Sequence, residues 1–187
     1  MAERLFIVRH GETEWSLSGQ HTSRTDVPLT SHGIEQAEVL AGKLSDESFG
    51  SVLCSPMSRA RETCRLAGFG SVAEICEDLR EWDYGDYEGL TTPQIRADRP
   101  DWLLWRDGCP NGESPARVGA RLDRVLDRCD PIPGDVLLFA HGHSLRVLTA
   151  RWLRMPVAGG AHFKLAAAAL GVLGHEHGTA TVDRWSV

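Results

Sequence analysis

The chain has 187 residues, 42% hydrophobic and 25% charged, the balance of a globular domain long enough to bury its own core. Its formal net charge of -6 excludes bulk affinity for nucleic acid, which needs a basic surplus, so any affinity for phosphate must be local. The five cysteines form no CxxC pair, the amino terminus is too short in apolar residues for a signal peptide, and no run approaches the roughly 20 apolar residues of a membrane span; we expect reduced thiols, no membrane association and a cytoplasmic protein.

Leu5 to Glu12 reads LFIVRHGE, a short β-branched run closed by a glycine, which predicts a buried strand with Arg9 and His10 at its carboxyl end. Thr13 to Pro28 is polar and without periodicity, and reads as a loop beside that strand's mouth. Thr30 then caps a helix whose apolar positions Ile34, Ala37, Leu40, Ala41 and Leu44 recur at helical spacing. Ser51 to Cys54 is a second short strand. It ends in SPMSRARET, where Ser55 is expected to cap and Pro56 to open the next helix. Arg59 lies early enough in that helix to help hold an anion, whereas Arg61, two residues on, cannot share its face.

Val72 to Ile75 suggests a third strand, leading into LREWDYGDYEGL. Glu81, Asp83, Asp86 and Glu88 crowd this loop among Trp82, Tyr84 and Tyr87. A carboxyl partly buried against rings suits a general acid, and composition alone does not choose among the four. Thr92 and Pro93 start a short helix, and Pro100 to Gly112 reads as a surface excursion that forms part of a lid. Ser114 and Pro115 open a helix whose buried face carries Val118, Leu122, Val125, Leu126 and Cys129. A strand over Asp135 to Ala140 ends in HGHS before a helix over Leu145 to Leu153, so His141 repeats the placement of His10. Leu170 to Leu173 and Thr179 to Trp185 read as a hairpin on the sheet edge. His175 and His177 flank Glu176 without the spacing that sets two imidazoles around zinc on one helix face, and no metal site is expected.

A lone histidine after a strand is usually a structural residue. Here three strand ends supply Arg9 with His10, then Arg59, then His141, and a parallel sheet brings such ends to one edge. Guanidinium groups fork onto phosphate oxygens and an imidazole attacks phosphorus, so phosphoryl transfer is the reaction class this set implies. Acyl transfer by a serine lacks its GxSxG elbow.

FIVRHGETEW, with CSPMSRARET and FAHGHS downstream, resembles the histidine phosphatase superfamily, in its phosphoglycerate mutase-like branch. The resemblance implies one domain over residues 1–187, a three-layer α/β/α sandwich with a mostly parallel central sheet, and an active site at the strand carboxyl ends. It implies that His10 becomes phosphohistidine, that Arg9, Arg59 and His141 clamp the phosphoryl group, and that Glu81 donates a proton to the leaving oxygen. Gly11, Ser16, Thr22, Ser23, Gly142 and His143 match positions around the phosphate and substrate, and neither metal nor cofactor is implied.

Ser16 stands where mutases of this branch carry asparagine, and HGHS where they carry HGNS. The chain also lacks the insertions that shield a mutase phosphoenzyme from water. The resemblance therefore favours a phosphatase of small phosphorylated metabolites, of the broad-specificity acid phosphatase or sugar-bisphosphatase kind, over a cofactor-dependent phosphoglycerate mutase. A silent phospho-ligand binding module is disfavoured by the presence of both His10 and Glu81. The edge strand near Thr179 leaves a homodimer open.

Overall fold

A computed structural model describes residues 2–187. In chain order the elements are β1 (Leu5–Arg9), α1 (Glu14–Ser18), α2 (Ser31–Leu44), β2 (Phe49–Cys54), α3 (Ser58–Leu66), β3 (Glu74–Ile75), α4 (Thr92–Asp98), α5 (Leu104–Asp107), α6 (Pro115–Cys129), β4 (Asp135–Ala140), α7 (Gly142–Trp152), β5 (Leu170–Glu176) and β6 (Thr179–Arg184). The strands form one sheet in the order β3-β2-β4-β1-β5-β6. β1 to β4 run parallel, while β5 pairs antiparallel with β1, and β6 closes the edge as the expected hairpin.

The two-residue side-chain period of a strand decides the layers. Leu5 and Ile7 of β1, with Val136, Leu138 and Ala140 of β4, pack among Val118, Leu122 and Val125 of α6 and Leu145 and Leu148 of α7. Phe6 and Val8, with Leu137 and Phe139, pack on the opposite face among Leu40 and Leu44 of α2 and Ala60 and Cys64 of α3. Both faces of the central strands are thus dry, which is why they read as unbroken apolar runs. Burying each such side chain stabilises the fold by about 1.5–3 kcal/mol. Helices on both faces, with the sheet between them, make three layers. All five cysteines are free and buried, and no helix among the described residues is long and apolar enough to cross a membrane.

The parallel register aligns the strand ends. Arg9 lies opposite Ala140 and Cys54 opposite Phe139, so His10, Ser55 and His141 leave the sheet side by side. The His10 amide still donates to the Ala140 carbonyl at 3.0 Å, and that of Ser55 to Phe139 at 2.9 Å. Beyond His10 the chain runs against the start of α2: a Cβ on Gly11 would sit 2.4 Å from the Gly33 carbonyl oxygen, and one on Gly33 2.2 Å from that of Glu12. Only glycine fits either position.

Four local expectations are corrected. Thr13 to Pro28 is not all loop: Thr13 and Ser16 form a reciprocal capping box that starts α1. Ser55 does not cap α3, which begins at Ser58 behind Met57; Asp26 accepts the Ser58 amide at 2.9 Å instead, and the Ser55 hydroxyl is spent elsewhere. The strand expected over Val72 to Ile75 shrinks to the two residues of β3. The helix expected from Leu145 starts at Gly142, with His141 as its N-cap, because the glycine after the strand is already helical. The Pro100 to Gly112 excursion carries the short helix α5 and is anchored by buried side chains, while Leu103, Arg106, Pro110 and Asn111 stay exposed. Trp102 is buried there and donates to the Gly108 carbonyl at 2.9 Å.

Candidate active site

His10 lies 2.7 Å through Nδ1 from the Gly11 carbonyl. A carbonyl only accepts, so Nδ1 carries the ring proton and Nε2 keeps its lone pair for the cavity that His10 lines. Burial, reinforced by the charges of Arg9 and Arg59, holds this imidazole well below its ordinary value. It is therefore neutral and nucleophilic near pH 7.

Arg9 is the cation beside it. Nη1 donates to the Leu165 carbonyl at 2.7 Å, while Nε is shielded from water and meets no acceptor. Such an orphan costs about 1–3 kcal/mol, and more on a charged group; the guanidinium as a whole lines the cavity and brings it a positive charge. The cavity holds about 250 Å³.

Arg59 and His141 stand behind that wall, both wholly buried. Arg59 Nε donates to His141 Nδ1 at 3.2 Å, and its two Nη atoms donate to the carbonyls of Thr22, Ser23 and Thr25 at 3.0–3.2 Å. Because Nδ1 accepts, the His141 proton sits on Nε2, which donates to Ser55 Oγ at 2.7 Å. Burial, with Arg59 and His10 adding to it, keeps His141 neutral as well. The two imidazole rings meet edge to face, 5.1 Å between centroids.

Glu81 is fixed by the amino terminus of α7. Oε1 accepts the amides of Trp82 at 2.9 Å and Ser144 at 2.7 Å, and Oε2 accepts that of His143 at 3.0 Å. Of the four lone-pair positions of the carboxylate, the one left is on Oε2, and Glu81 lines the cavity. A proton to be given or taken belongs there.

The outer wall is ring-lined. His143 Nδ1 lies 2.6 Å from the Tyr84 hydroxyl. Tyr84 has no other acceptor, and a buried O–H needs one, so the hydroxyl donates and His143 carries its proton on Nε2. Burial pushes His21 down to about 4, against the weaker pull of Glu88. Arg146 lies over the Trp105 ring at 4.7 Å and donates to the carbonyls of Gly160 and Ala161, with no carboxylate partner.

The chain as a whole has counterparts among known proteins. The family model of the histidine phosphatase superfamily (branch 1) matches residues 5–187. The chain belongs to the histidine phosphatase superfamily. An acid phosphatase of Mycobacterium tuberculosis is 48% identical over 180 residues, covering 94% of this chain and 88% of that protein. A sedoheptulose 1,7-bisphosphatase of Saccharomyces cerevisiae is 37% identical over 191 residues, covering 84% and 70%. The solved structure of an open reading frame product of Mycobacterium tuberculosis superposes with a TM-score of 0.95 at 43% identity, covering 100% of this chain and 98% of the other.

Within this histidine phosphatase, Arg9, His10, Ser16, Thr22, Glu81, Gly142 and His143 all line one cavity. Arg59, His141, Gly11 and Ser23 do not: the first two lie wholly buried behind it. The Gly11 amide is taken by Thr63 Oγ1 at 3.0 Å, and Ser23 turns its amide and hydroxyl to Glu88. Of the four clustered acids only Glu81 reaches the cavity; Asp83 pairs with Arg24, Asp86 accepts from Asn111, and Glu88 braces the Ser23 loop. Arg146, which the sequence reading missed, lines the outer cavity four residues after Gly142. That spacing puts both on one helix face once α7 is known to begin at Gly142.

Proposed function

We propose that this histidine phosphatase is a metal- and cofactor-independent phosphomonoesterase whose His10 carries the phosphoryl group between substrate and water. One observation carries the reading: His10, whose Nε2 is free of its proton, and the guanidinium of Arg9 line the same cavity. The His10 lone pair forms the N–P bond as the ester P–O bond breaks, and Glu81 Oε2 supplies the proton that leaves with the alcohol. Water then attacks phosphorus, Glu81 takes its proton, and the N–P bond breaks to return neutral His10 and inorganic phosphate. Arg9 meets the charge spread over the phosphoryl oxygens, and Arg59 and His141 support it from behind.

The substrate we favour is a small phosphorylated sugar bearing a second anionic group. Arg146 supplies the second cation, and the likeness to a sugar bisphosphatase supports the same class. Five reduced, buried thiols support a cytoplasmic setting. The test is phosphate release in chelator from an aryl phosphate, sugar bisphosphates and 3-phosphoglycerate, each with and without 2,3-bisphosphoglycerate. Metal-independent release, fastest from the bisphosphates, is expected. Primer-dependent formation of 2-phosphoglycerate without release would replace this reading with a mutase.

A further inference from the structure

Behind the cavity, the segment from Thr22 to Thr25 is held between two opposite charges. Its carbonyls face Arg59: those of Thr22 and Ser23 receive Nη2 at 3.2 and 3.1 Å, and that of Thr25 receives Nη1 at 3.0 Å. Its amides face Glu88: Oε1 accepts Ser23 at 2.9 Å and Thr25 at 3.0 Å, while Oε2 accepts the Ser23 hydroxyl at 2.6 Å. The flanking residues are zipped together as well, His21 to Leu90 at 2.9 Å and Gly89 to His21 at 2.8 Å.

The arrangement constrains Arg59 tightly. Its Nε is committed to His141 and three of its four Nη protons to this loop; the fourth is on Nη1, which lies 3.9 Å from Asp26 Oδ1. The orientation of the guanidinium, and of the Nε–H that meets His141, is therefore set by where the three carbonyls stand. Their position depends in turn on the carboxylate that gathers the amides on the other side. Without it, two backbone donors lose their acceptor and the cage around the guanidinium opens. Glu88 does not line the cavity and touches no reacting atom.

From this geometry we propose that Glu88 is a positioning residue for phosphoryl transfer, acting through the Thr22 to Thr25 carbonyls on Arg59 and, through Arg59, on His141. The inference rests on the phosphatase reading but is tested apart from it. Glu88→Gln keeps the size of the side chain and removes the second anionic acceptor; Glu88→Ala removes both.

Each variant is compared with the wild-type chain for kcat and KM on an aryl phosphate, orthovanadate affinity by tryptophan fluorescence, and Tm. A displaced guanidinium is expected to lower kcat about 10- to 100-fold, with a parallel loss of vanadate affinity. KM should stay within about twofold and the Tm of Glu88→Gln near wild type, since uniform binding and the core are untouched. Glu88→Gln added to Arg59→Lys should cost little beyond Arg59→Lys alone, because the two act as one unit. Wild-type kcat and vanadate affinity in Glu88→Gln, or losses that multiply independently in the double variant, would overturn the proposal. Should the wild-type chain release no phosphate, the phosphatase reading fails, and the vanadate titration still decides the role of Glu88.

Discussion

Ser55 Oγ and His141 Nε2 lie 2.7 Å apart, joining the end of β2 to the end of β4 in the interior of the molecule. The hydroxyl accepts the one proton of an imidazole whose other nitrogen is occupied by Arg59. Ser55→Ala leaves that buried N–H without an acceptor. Denaturant titration should show about 1–3 kcal/mol of lost stability, and kcat should fall as His141 loses its fixed tautomer. A stable variant with unchanged kcat would show that Ser55 does not orient the ring.

His10→Ala should keep the fold and lose the chemistry. Circular dichroism is expected to match wild type, and turnover to fall by about three orders of magnitude or more, as when a covalent nucleophile is removed. Rapid mixing with labelled substrate, quenched in base to preserve an N–P bond, should trap label on the wild-type chain and none on this variant.

Glu81→Gln should discriminate by leaving group. An alkoxide needs its proton and an aryloxide does not, so kcat on a sugar phosphate should drop about 10²- to 10⁴-fold and on a nitrophenyl ester far less. Equal losses on both would remove the general-acid role.

Removing the outer cation should act on binding. Arg146→Ala is expected to raise KM about 10- to 100-fold for a bisphosphorylated sugar, the equivalent of one charged hydrogen bond. The aryl phosphate, which carries no second anion, should be affected much less.

The buried imidazoles also set a pH dependence of stability. His10, His21, His141 and His143 are each pushed below the ordinary histidine value, burial being the first cause in all four. Above about pH 6.5 folded and unfolded chains are both neutral at these sites and nothing changes. Below it the unfolded chain takes up protons that the fold refuses, so stability falls with falling pH. Each imidazole contributes about 1.4 kcal/mol per pH unit, and for His21 the loss runs down to about pH 4. Urea titrations from pH 7 to pH 4 should show this slope, shallower in His21→Asn. A flat profile would mean that the rings charge in place.

The sequence made some of this site legible and hid the rest for identifiable reasons. Arg9 ends, and His10 and His141 follow, strands buried on both faces, and such strands announce their ends by where the apolar run stops. Arg59 was placed correctly near a helix start, yet its packing against three loop carbonyls left no local trace. Ser55 was misread because a serine before proline is also a helix-cap pattern, whereas its partner lies 86 residues away. Arg146 escaped because the helix was begun three residues late, which broke its register with Gly142. The bracing of the Thr22 to Thr25 loop by Glu88 needed the fold, since its carboxylate meets amides 63 and 65 residues distant.

The contact between Gly11 and Gly33 reaches beyond local geometry. Position 33 opens a surface helix, but any side chain there collides with the Glu12 backbone and drives the loop after His10 off the sheet. In a saturation library selected for phosphate release, codon 33 should be purged as thoroughly as codon 10. A survey that ranked residues by distance from the reacting atoms would pass over it.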